Sequence, residues 1–175
     1  RAMAWEEGTL EEVMLLPFRT VTSEPEAELI GAMDDLLSEL GLLGKKRTKI
    51  YQLSGGQQRR AFLARALLII MQNTKPGLPT VLVLDEATVG LDLTTQVDLL
   101  HLLHQYSKTK YPELSLVVIS HDPIVLRYIC DRFVVIYRKE EQDTGATIVE
   151  RLDKKQFTDG PYKHEHTSEL VKAIH

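Results

Sequence analysis

The chain has 175 residues, a formal net charge of −4 and 43% hydrophobic residues. This composition is sufficient for a folded core, and it excludes a disordered chain and a broadly basic surface for nucleic acid. The longest apolar run, residues 66–71, is much shorter than the roughly 20 residues that cross a membrane as a helix, so no transmembrane segment is expected. The one cysteine, Cys130, excludes an internal disulfide and is typical of a reducing compartment.

The first predicted elements are two helices. Apolar residues recur at helical spacing over 8–16, and Pro17 is expected to end this helix. A second amphipathic helix is predicted over 26–40, with Ser23 as its N-cap. The basic segment that follows, 45–49, is interpreted as a solvated connector rather than a binding patch.

The clearest helix start is at Ser54. The run Ser54-Gly55-Gly56-Gln57 matches a capping box, in which the serine and the glutamine three residues later each accept a backbone N–H. The free N–H groups and the dipole of a helix start also favour an anion, and two glycines let a ligand approach the backbone closely. The pattern is therefore consistent with an ordinary capped helix and with a phosphate site.

A short apolar run over 80–84 is typical of a buried parallel strand, and it ends in two adjacent carboxylates, Asp85 and Glu86. Open α/β sheets place their ligands at this end of the strands. Because side chains alternate along a strand, the two carboxylates are expected to point to opposite sides, one toward Mg²⁺ and the other toward an attacking water. The alternative is a strand that runs into an acidic turn.

The second half of the chain alternates helices with strands. Helices are predicted over 94–106 and 122–130, and strands over 116–119, 133–137 and 146–150. This alternation predicts an α/β fold with a largely parallel sheet. His121 follows the strand over 116–119, where an imidazole can donate a hydrogen bond to a phosphate oxygen or lie on the surface without a ligand.

Three segments together resemble one known family. LSGGQQRRAFLARALL (53–68) resembles the signature motif of ATP-binding cassette (ABC) ATPases, VLVLDEATVGLD (81–92) their Walker B strand and D-loop, and VVISHD (117–122) their switch-histidine strand. The resemblance implies a P-loop NTPase-like α/β core with an α-helical subdomain, to which the helix over 26–40 is similar.

The resemblance also implies ATP and Mg²⁺ as cofactors and a role for each motif residue. Ser54, Gly55, Gly56 and Gln57 would contact the γ-phosphate of an ATP that the opposite subunit of a dimer holds. Asp92 would lie in the D-loop across the interface of that dimer.

The strand ends supply the remaining roles that the resemblance implies. Asp85 would organise Mg²⁺, Glu86 would orient or deprotonate the hydrolytic water, and His121 would contact the γ-phosphate and sense its loss. Ala87 and Val89 stand where many members of the family have proline and serine. These two departures affect contacts of the D-loop and remove no carboxylate.

The phosphate-cradling pattern G-x-x-x-x-G-K-[ST] does not occur in the sequence. The resemblance therefore implies an ABC ATPase core without its N-terminal Walker A lobe, in a chain that begins after the glutamine loop of the family. On this interpretation, 1–57 are a lead-in and helical subdomain, 58–150 the C-terminal part of the ATPase core, and 151–175 a polar tail. ATPase activity is expected of the complete protein and not of this chain alone.

The end of the chain resembles one branch of the family. Residues 147–150 and 160–174 are similar to the end of the domain in oligopeptide, dipeptide and nickel importer ATPases. This implies a cytoplasmic subunit, peripheral on the membrane, that pairs with a second nucleotide-binding domain and with transmembrane permeases to import a peptide, nickel or similar small solute. No nucleic acid partner is expected. His164 and His166 are interpreted as part of a solvated tail, with a two-histidine metal site as the alternative.

Two other functions are compatible with the motifs. A C-terminal lobe of a DNA-repair or chromosome-maintenance ABC ATPase would explain the missing Walker A loop. Such lobes usually carry an acidic residue after the two glycines, where this chain has Gln57, and no heptad run precedes the signature. The other possibility is an interaction module that binds a partner without ATP turnover.

Overall fold

The computed structural model describes residues 7–18, 26–75, 77–138 and 145–172. Its helices are α1 (Leu10–Leu15), α2 (Glu26–Glu39), α3 (Gly55–Asn73), α4 (Leu93–Gln105), α5 (Pro123–Ile129), α6 (Lys154–Asp159) and α7 (Glu165–Lys172). Its strands are β1 (Thr80–Asp85), β2 (Leu114–Ile119), β3 (Arg132–Tyr137) and β4 (Thr147–Asp153). Short 3-10 turns span Leu16–Phe18, Leu43–Lys45 and Ile50–Gln52, and a π-helical turn spans Tyr106–Lys110.

The described residues form two compact units. The first comprises those up to Leu82 together with Ala87–Ser115, and the second comprises Val83–Glu86 with those from Leu116 onward. Within the described residues, no helix combines the length and the apolar content that crossing a bilayer requires.

The first unit is built around α3. This helix packs against α1 and α2, and its buried residues include Ala64, Leu67 and Leu68. The helix that the apolar pattern over 8–16 predicts is α1, and it starts at a capping box between Thr9 and Glu12. The predicted N-cap of α2, Ser23, lies outside the described residues.

Strands β1 and β2 run parallel. The N–H of Thr80 donates to the carbonyl of Glu113 at 3.0 Å, and the N–H of Glu86 donates to the carbonyl of Ile119 at 2.9 Å. From the first of these hydrogen bonds to the second, the donor residue and the acceptor residue both lie further toward the C-terminus. The two strands are therefore parallel, and their carboxyl ends lie side by side. This pairing places the segments after Leu84 and after Ile119 next to each other.

Strands β3 and β4 form a separate antiparallel sheet in the second unit. One face of this pair packs on α6 and α7 through a core of Phe133, Val135, Leu152, Phe157 and Val171. The rings of Phe133 and Phe157 are stacked with centroids 3.9 Å apart. The expectation of a largely parallel sheet therefore holds for β1 and β2 and is wrong for the second pair, which is a hairpin.

Glu150 is buried at the edge of this core and holds the segment before α7. Its carboxylate accepts the N–H of Lys163 at 2.8 Å and the N–H of His164 at 3.4 Å. Burial raises the pKa of Glu150, but these N–H donors outweigh that effect and the net pKa lies below its ordinary value. The charged carboxylate is therefore part of the fold.

Candidate functional site

Ser54 is the N-cap of α3, as the capping pattern predicts. Its backbone is extended at φ −62° and ψ 158°, its Oγ accepts the N–H of Gln57 at 3.3 Å, and its own N–H donates to the Gln57 Oε1 at 3.0 Å. The N–H groups of Gly55 and Gly56 are in the first helical turn and have no partner within the helix. They are the donors that an anion can bind at this helix start.

The two glycines differ in what surrounds them. A Cβ atom built on Gly56 would lie 3.3 Å from Cδ2 of Leu91, so the loop after β1 approaches α3 closely at this point. A Cβ atom built on Gly55 would meet nothing within 4 Å. The packing of this chain therefore explains Gly56 and does not explain Gly55, although glycine destabilises a helix relative to alanine.

Asp92 caps the next helix in the same unit. Its Oδ1 accepts the N–H of Thr95 at 3.0 Å, and its Oδ2 accepts the Thr95 hydroxyl at 2.7 Å. These hydrogen bonds from Thr95 lower the pKa of Asp92, which is fully ionised at neutral pH. The loop that leads to Asp92 contains Leu91, whose Cδ2 lies close to the start of α3 at Gly56.

Asp85 is the last residue of β1, and its side chain is exposed. Glu86 already lies beyond the strand and has a left-handed backbone with φ 48°. The alternation of side chains along a strand therefore does not set the direction of Glu86. A non-glycine residue in this conformation stores strain, and such residues are concentrated at functional sites.

Glu86 and His121 meet at the carboxyl ends of β1 and β2. Oε1 of Glu86 lies 2.9 Å from Nδ1 of His121, and the side chain of His121 is 75% exposed. The hydrogen bond and the charge of Glu86 raise the pKa of His121. The pair therefore favours imidazolium beside carboxylate, with Nε2 of the exposed ring left to donate to an anion.

The donor set suits Mg²⁺ only in part. Mg²⁺ in phosphoryl-transfer sites is held by one or two carboxylates together with water and substrate phosphates. Asp85 supplies one exposed carboxylate, and the described ranges contain no group of three or more histidine, cysteine, aspartate or glutamate side chains that could hold a metal without a substrate. The residues present therefore fit a metal that arrives with a nucleotide.

The histidine pair near the chain end is organised differently from a metal site. Nδ1 of His164 accepts the N–H of His166 at 3.2 Å, and both rings lie against Tyr137, with centroids 5.6 and 4.7 Å away. This Nδ1 is already occupied as an acceptor. The arrangement supports packing of the tail rather than a two-histidine site.

The structure brings Glu86 and His121 together and places the start of α3 close to the loop before Asp92. The sequence pattern did not single out Gln58 or Thr95, which lie next to these residues. Gln58 donates from its side chain to two carbonyls before Ser54, and Thr95 bonds both oxygens of Asp92. A threonine three residues after an aspartate N-cap was a visible sign of the second contact.

Comparison with known proteins decides the family. The model of the ABC transporter family matches residues 6–89, which include the signature helix and Asp85 and Glu86. The chain is 35% identical over 137 residues to the methionine import ATP-binding protein MetN 2 of Paraburkholderia xenovorans strain LB400. The chain belongs to the ABC transporter ATPase family.

A second relative has a different named substrate. The chain is 31% identical over 150 residues to the oligopeptide transport ATP-binding protein AmiF of Streptococcus pneumoniae serotype 4. These two alignments cover 78% and 85% of this chain, but only 33% of MetN 2 and 43% of AmiF. This ABC chain thus spans well under half of the length of the curated relatives it matches.

Solved structures give the same fold. A metal-chelate type ABC transporter in an inward-facing conformation matches with a TM-score of 0.65 and 19% identity, over 94% of this chain and 58% of that one. CbiO1 of Clostridium perfringens, part of the ABC transporter complex cbiONQ, matches with a TM-score of 0.62 and 23% identity, over 86% and 53%. The ABC ATPase fold predicted from the motifs is confirmed.

Proposed function

We propose that this chain supplies the signature and Walker B parts of an ABC ATPase that hydrolyses ATP. The observation that carries the proposal is the junction at the ends of β1 and β2. There an exposed Asp85 is followed by a left-handed Glu86 that lies 2.9 Å from His121. Residue types that can hold a metal, a water and a phosphate thus lie at two neighbouring strand ends, where α/β sheets bind their ligands.

Each group at this junction has a chemical part in phosphoryl transfer. Asp85 would hold Mg²⁺, which neutralises phosphate charge when it is bound with the nucleotide. Glu86 would orient or deprotonate the attacking water, and a carboxylate needs to reach that water through a single hydrogen bond. His121 would hold Glu86 in place through Nδ1 and donate from Nε2 to the γ-phosphate.

The helix start at Ser54 would act on a different nucleotide. The N–H groups of Gly55 and Gly56 and the hydroxyl of Ser54 offer donors to a phosphate, and the space above Gly55 is open. We propose that Ser54, Gly55, Gly56 and Gln57 bind the γ-phosphate of an ATP held by a second nucleotide-binding domain. Asp92 would face the same dimer interface.

The phosphate loop of the cis site would come from residues outside these 175, because the pattern G-x-x-x-x-G-K-[ST] is absent from them. We propose that the complete ATPase binds transmembrane permease subunits on the cytoplasmic face of a membrane and drives import of a small solute. A peptide or nickel is the substrate that the end of the sequence favours. The oligopeptide name of AmiF supports the peptide, and the methionine name of MetN 2 adds a small amino acid.

The test is Glu86→Gln in the complete ATPase. Glutamine preserves the shape of the side chain and removes its basicity, so hydrolysis is expected to fall to background while ATP binding persists. The variant is expected to accumulate as an ATP-bound dimer, which elutes earlier in size-exclusion chromatography. Glu28→Gln, on the exposed side of α2, is the matched control and is expected to keep normal turnover. Normal turnover by Glu86→Gln would contradict the assignment of the base.

A further inference from the structure

We propose that Gln58 is a positioning residue that fixes the phosphate-binding helix start at Ser54, Gly55 and Gly56. The proposal rests on the function proposed above for these three residues. Gln58 does not face the phosphate position itself, since its side chain is directed backward along the chain and is half-buried. It would act through the backbone that carries the donors.

The contacts of Gln58 span the junction between a turn and a helix. Its Nε2 donates to the carbonyl of Ile50 at 3.1 Å and to the carbonyl of Leu53 at 3.1 Å. Both hydrogens of the amide are therefore used, one on the first residue of the 3-10 turn Ile50–Gln52 and one on the residue after it. Between this turn and α3 the backbone is extended at Leu53 and at Ser54. The hydrogen bonds of Gln58 thus close a ring of backbone that includes these two extended residues.

The turn to which Gln58 is hydrogen-bonded is itself held by backbone hydrogen bonds. The N–H of Ile50 donates to the carbonyl of Gly8 at 3.1 Å, and the N–H of Leu10 donates to the carbonyl of Thr48 at 2.9 Å. The Ile50 side chain is 1% exposed. Gln58 thus ties the first turn of α3 to a buried, hydrogen-bonded segment at the start of the described chain.

The capping box alone does not provide this restraint. The side chains of Ser54 and Gln57 each accept the backbone N–H of the other residue, so these two hydrogen bonds fix the first helical turn and do not reach back to the carbonyls of Ile50 and Leu53. A phosphate that several N–H groups bind at once requires those groups to be held within a fraction of an ångström. The N–H of Leu53 also donates to the carbonyl of Ile50 at 3.0 Å, so loss of the Gln58 amide would loosen the Leu53–Ser54 junction, which would then have to be ordered when two domains close over ATP.

The experiment compares substitutions at position 58 in the complete ATPase. Gln58→Glu keeps the shape and sets carboxylate oxygens against two carbonyls, and Gln58→Met keeps the length without donors. Gln58→Lys restores N–H donors. Gln72→Glu makes the same chemical change near the opposite end of α3 and is the matched control. Ser54→Arg is measured beside them as a reference for the phosphate site.

The expected result separates positioning from folding. Gln58→Glu and Gln58→Met are expected to lower kcat at saturating ATP at least fivefold, with the ATP dissociation constant of the open protein within twofold of the wild type. Gln58→Lys and Gln72→Glu are expected to stay within twofold in both quantities. If Gln58→Glu does not fold, Gln58→Met decides the outcome.

Three results would contradict the inference, and they have different meanings. Normal kcat in Gln58→Met beside an inactive Ser54→Arg would refute the role of Gln58 and leave the proposed function standing. Normal kcat in Ser54→Arg would refute the proposed function itself, and the inference with it. A loss of activity in Gln58→Lys equal to that in Gln58→Met would also refute positioning by these two hydrogen bonds.

Discussion

The substitution Gly55→Ala distinguishes a requirement of the fold for glycine from a requirement of a bound ligand for glycine. A Cβ atom at Gly55 meets nothing within 4 Å of this chain, and the backbone there is not in the left-handed region. Alanine in a helix is more favourable than glycine by up to about 1 kcal/mol, and we expect about 0.5 kcal/mol in this first turn. The substitution is therefore expected to raise the free energy of unfolding slightly.

The same methyl group is expected to damage catalysis. If a phosphate of ATP packs against the Gly55 N–H, the added carbon lies within its contact distance and prevents full closure. We expect ATPase activity of the complete protein to fall at least tenfold, which corresponds to about 1.4 kcal/mol at the transition state. Higher stability together with lower activity would indicate that position 55 requires glycine for a bound ligand and not for the fold.

Gly31→Ala is the matched control. Gly31 lies within α2, is exposed, and also has nothing within 4 Å of its built Cβ. The control is expected to be stabilised by about 1 kcal/mol with unchanged basal ATPase activity. Denaturant unfolding and steady-state ATPase assays on the two variants measure both quantities. Equal activity in Gly55→Ala and Gly31→Ala would refute the idea that a ligand approaches Gly55.

Three further predictions concern stability and nucleotide binding. Because the pKa of Glu150 is lowered in the fold, its stabilisation is present at neutral pH and is lost as the pH falls below about 4.5. The stability difference between wild type and Glu150→Gln should therefore shrink between pH 6 and about pH 3.5. A difference that is constant with pH would contradict the ionised, hydrogen-bonded carboxylate. Phe157→Ala removes a ring that is 1% exposed and stacked on Phe133, so chemical unfolding should show a loss of about 3–5 kcal/mol, and a loss below 1 kcal/mol would contradict the packing of the second unit. Titration of this chain alone with a fluorescent ATP analogue should show no tight binding, since the Walker A pattern is absent; micromolar Mg²⁺-dependent binding that excess ATP displaces would contradict this.

Local sequence patterns were sufficient for the helix starts. Ser54 with Gln57, and Asp122 before Pro123, form the caps that their residue types indicate, because a cap depends on neighbours three residues away. The short apolar runs likewise form β1, β2 and β3. The prediction that 80–84 is a buried strand is wrong for one face of β1, because Val81 and Val83 are exposed while Leu82 and Leu84 are buried. Strand β4 continues to Asp153, beyond the predicted end at 150, because Leu152 packs into the core of the second unit.

Features that depend on distant residues were not predicted. The antiparallel pairing of β3 with β4 follows from the core that they share with α6 and α7, and strand patterns alone do not encode pairing direction. The left-handed backbone of Glu86 and its bond to His121 arise because two strand ends, 35 residues apart in sequence, lie side by side. The contacts of Gln58 do not follow from the helix pattern either, because its partners precede the helix that carries it.

Ser54→Arg tests the central claim most directly. A capped helix start without a ligand would lose only the cap, about 1 kcal/mol of stability, whatever replaced the serine. At a phosphate site shared between two domains, the long cation would block closure over ATP. In the complete ATPase we predict a small change in melting temperature, near-normal ATP affinity and ATPase activity lowered at least tenfold. Normal ATPase activity in this variant would contradict the assignment of Ser54, Gly55 and Gly56 to the phosphate site.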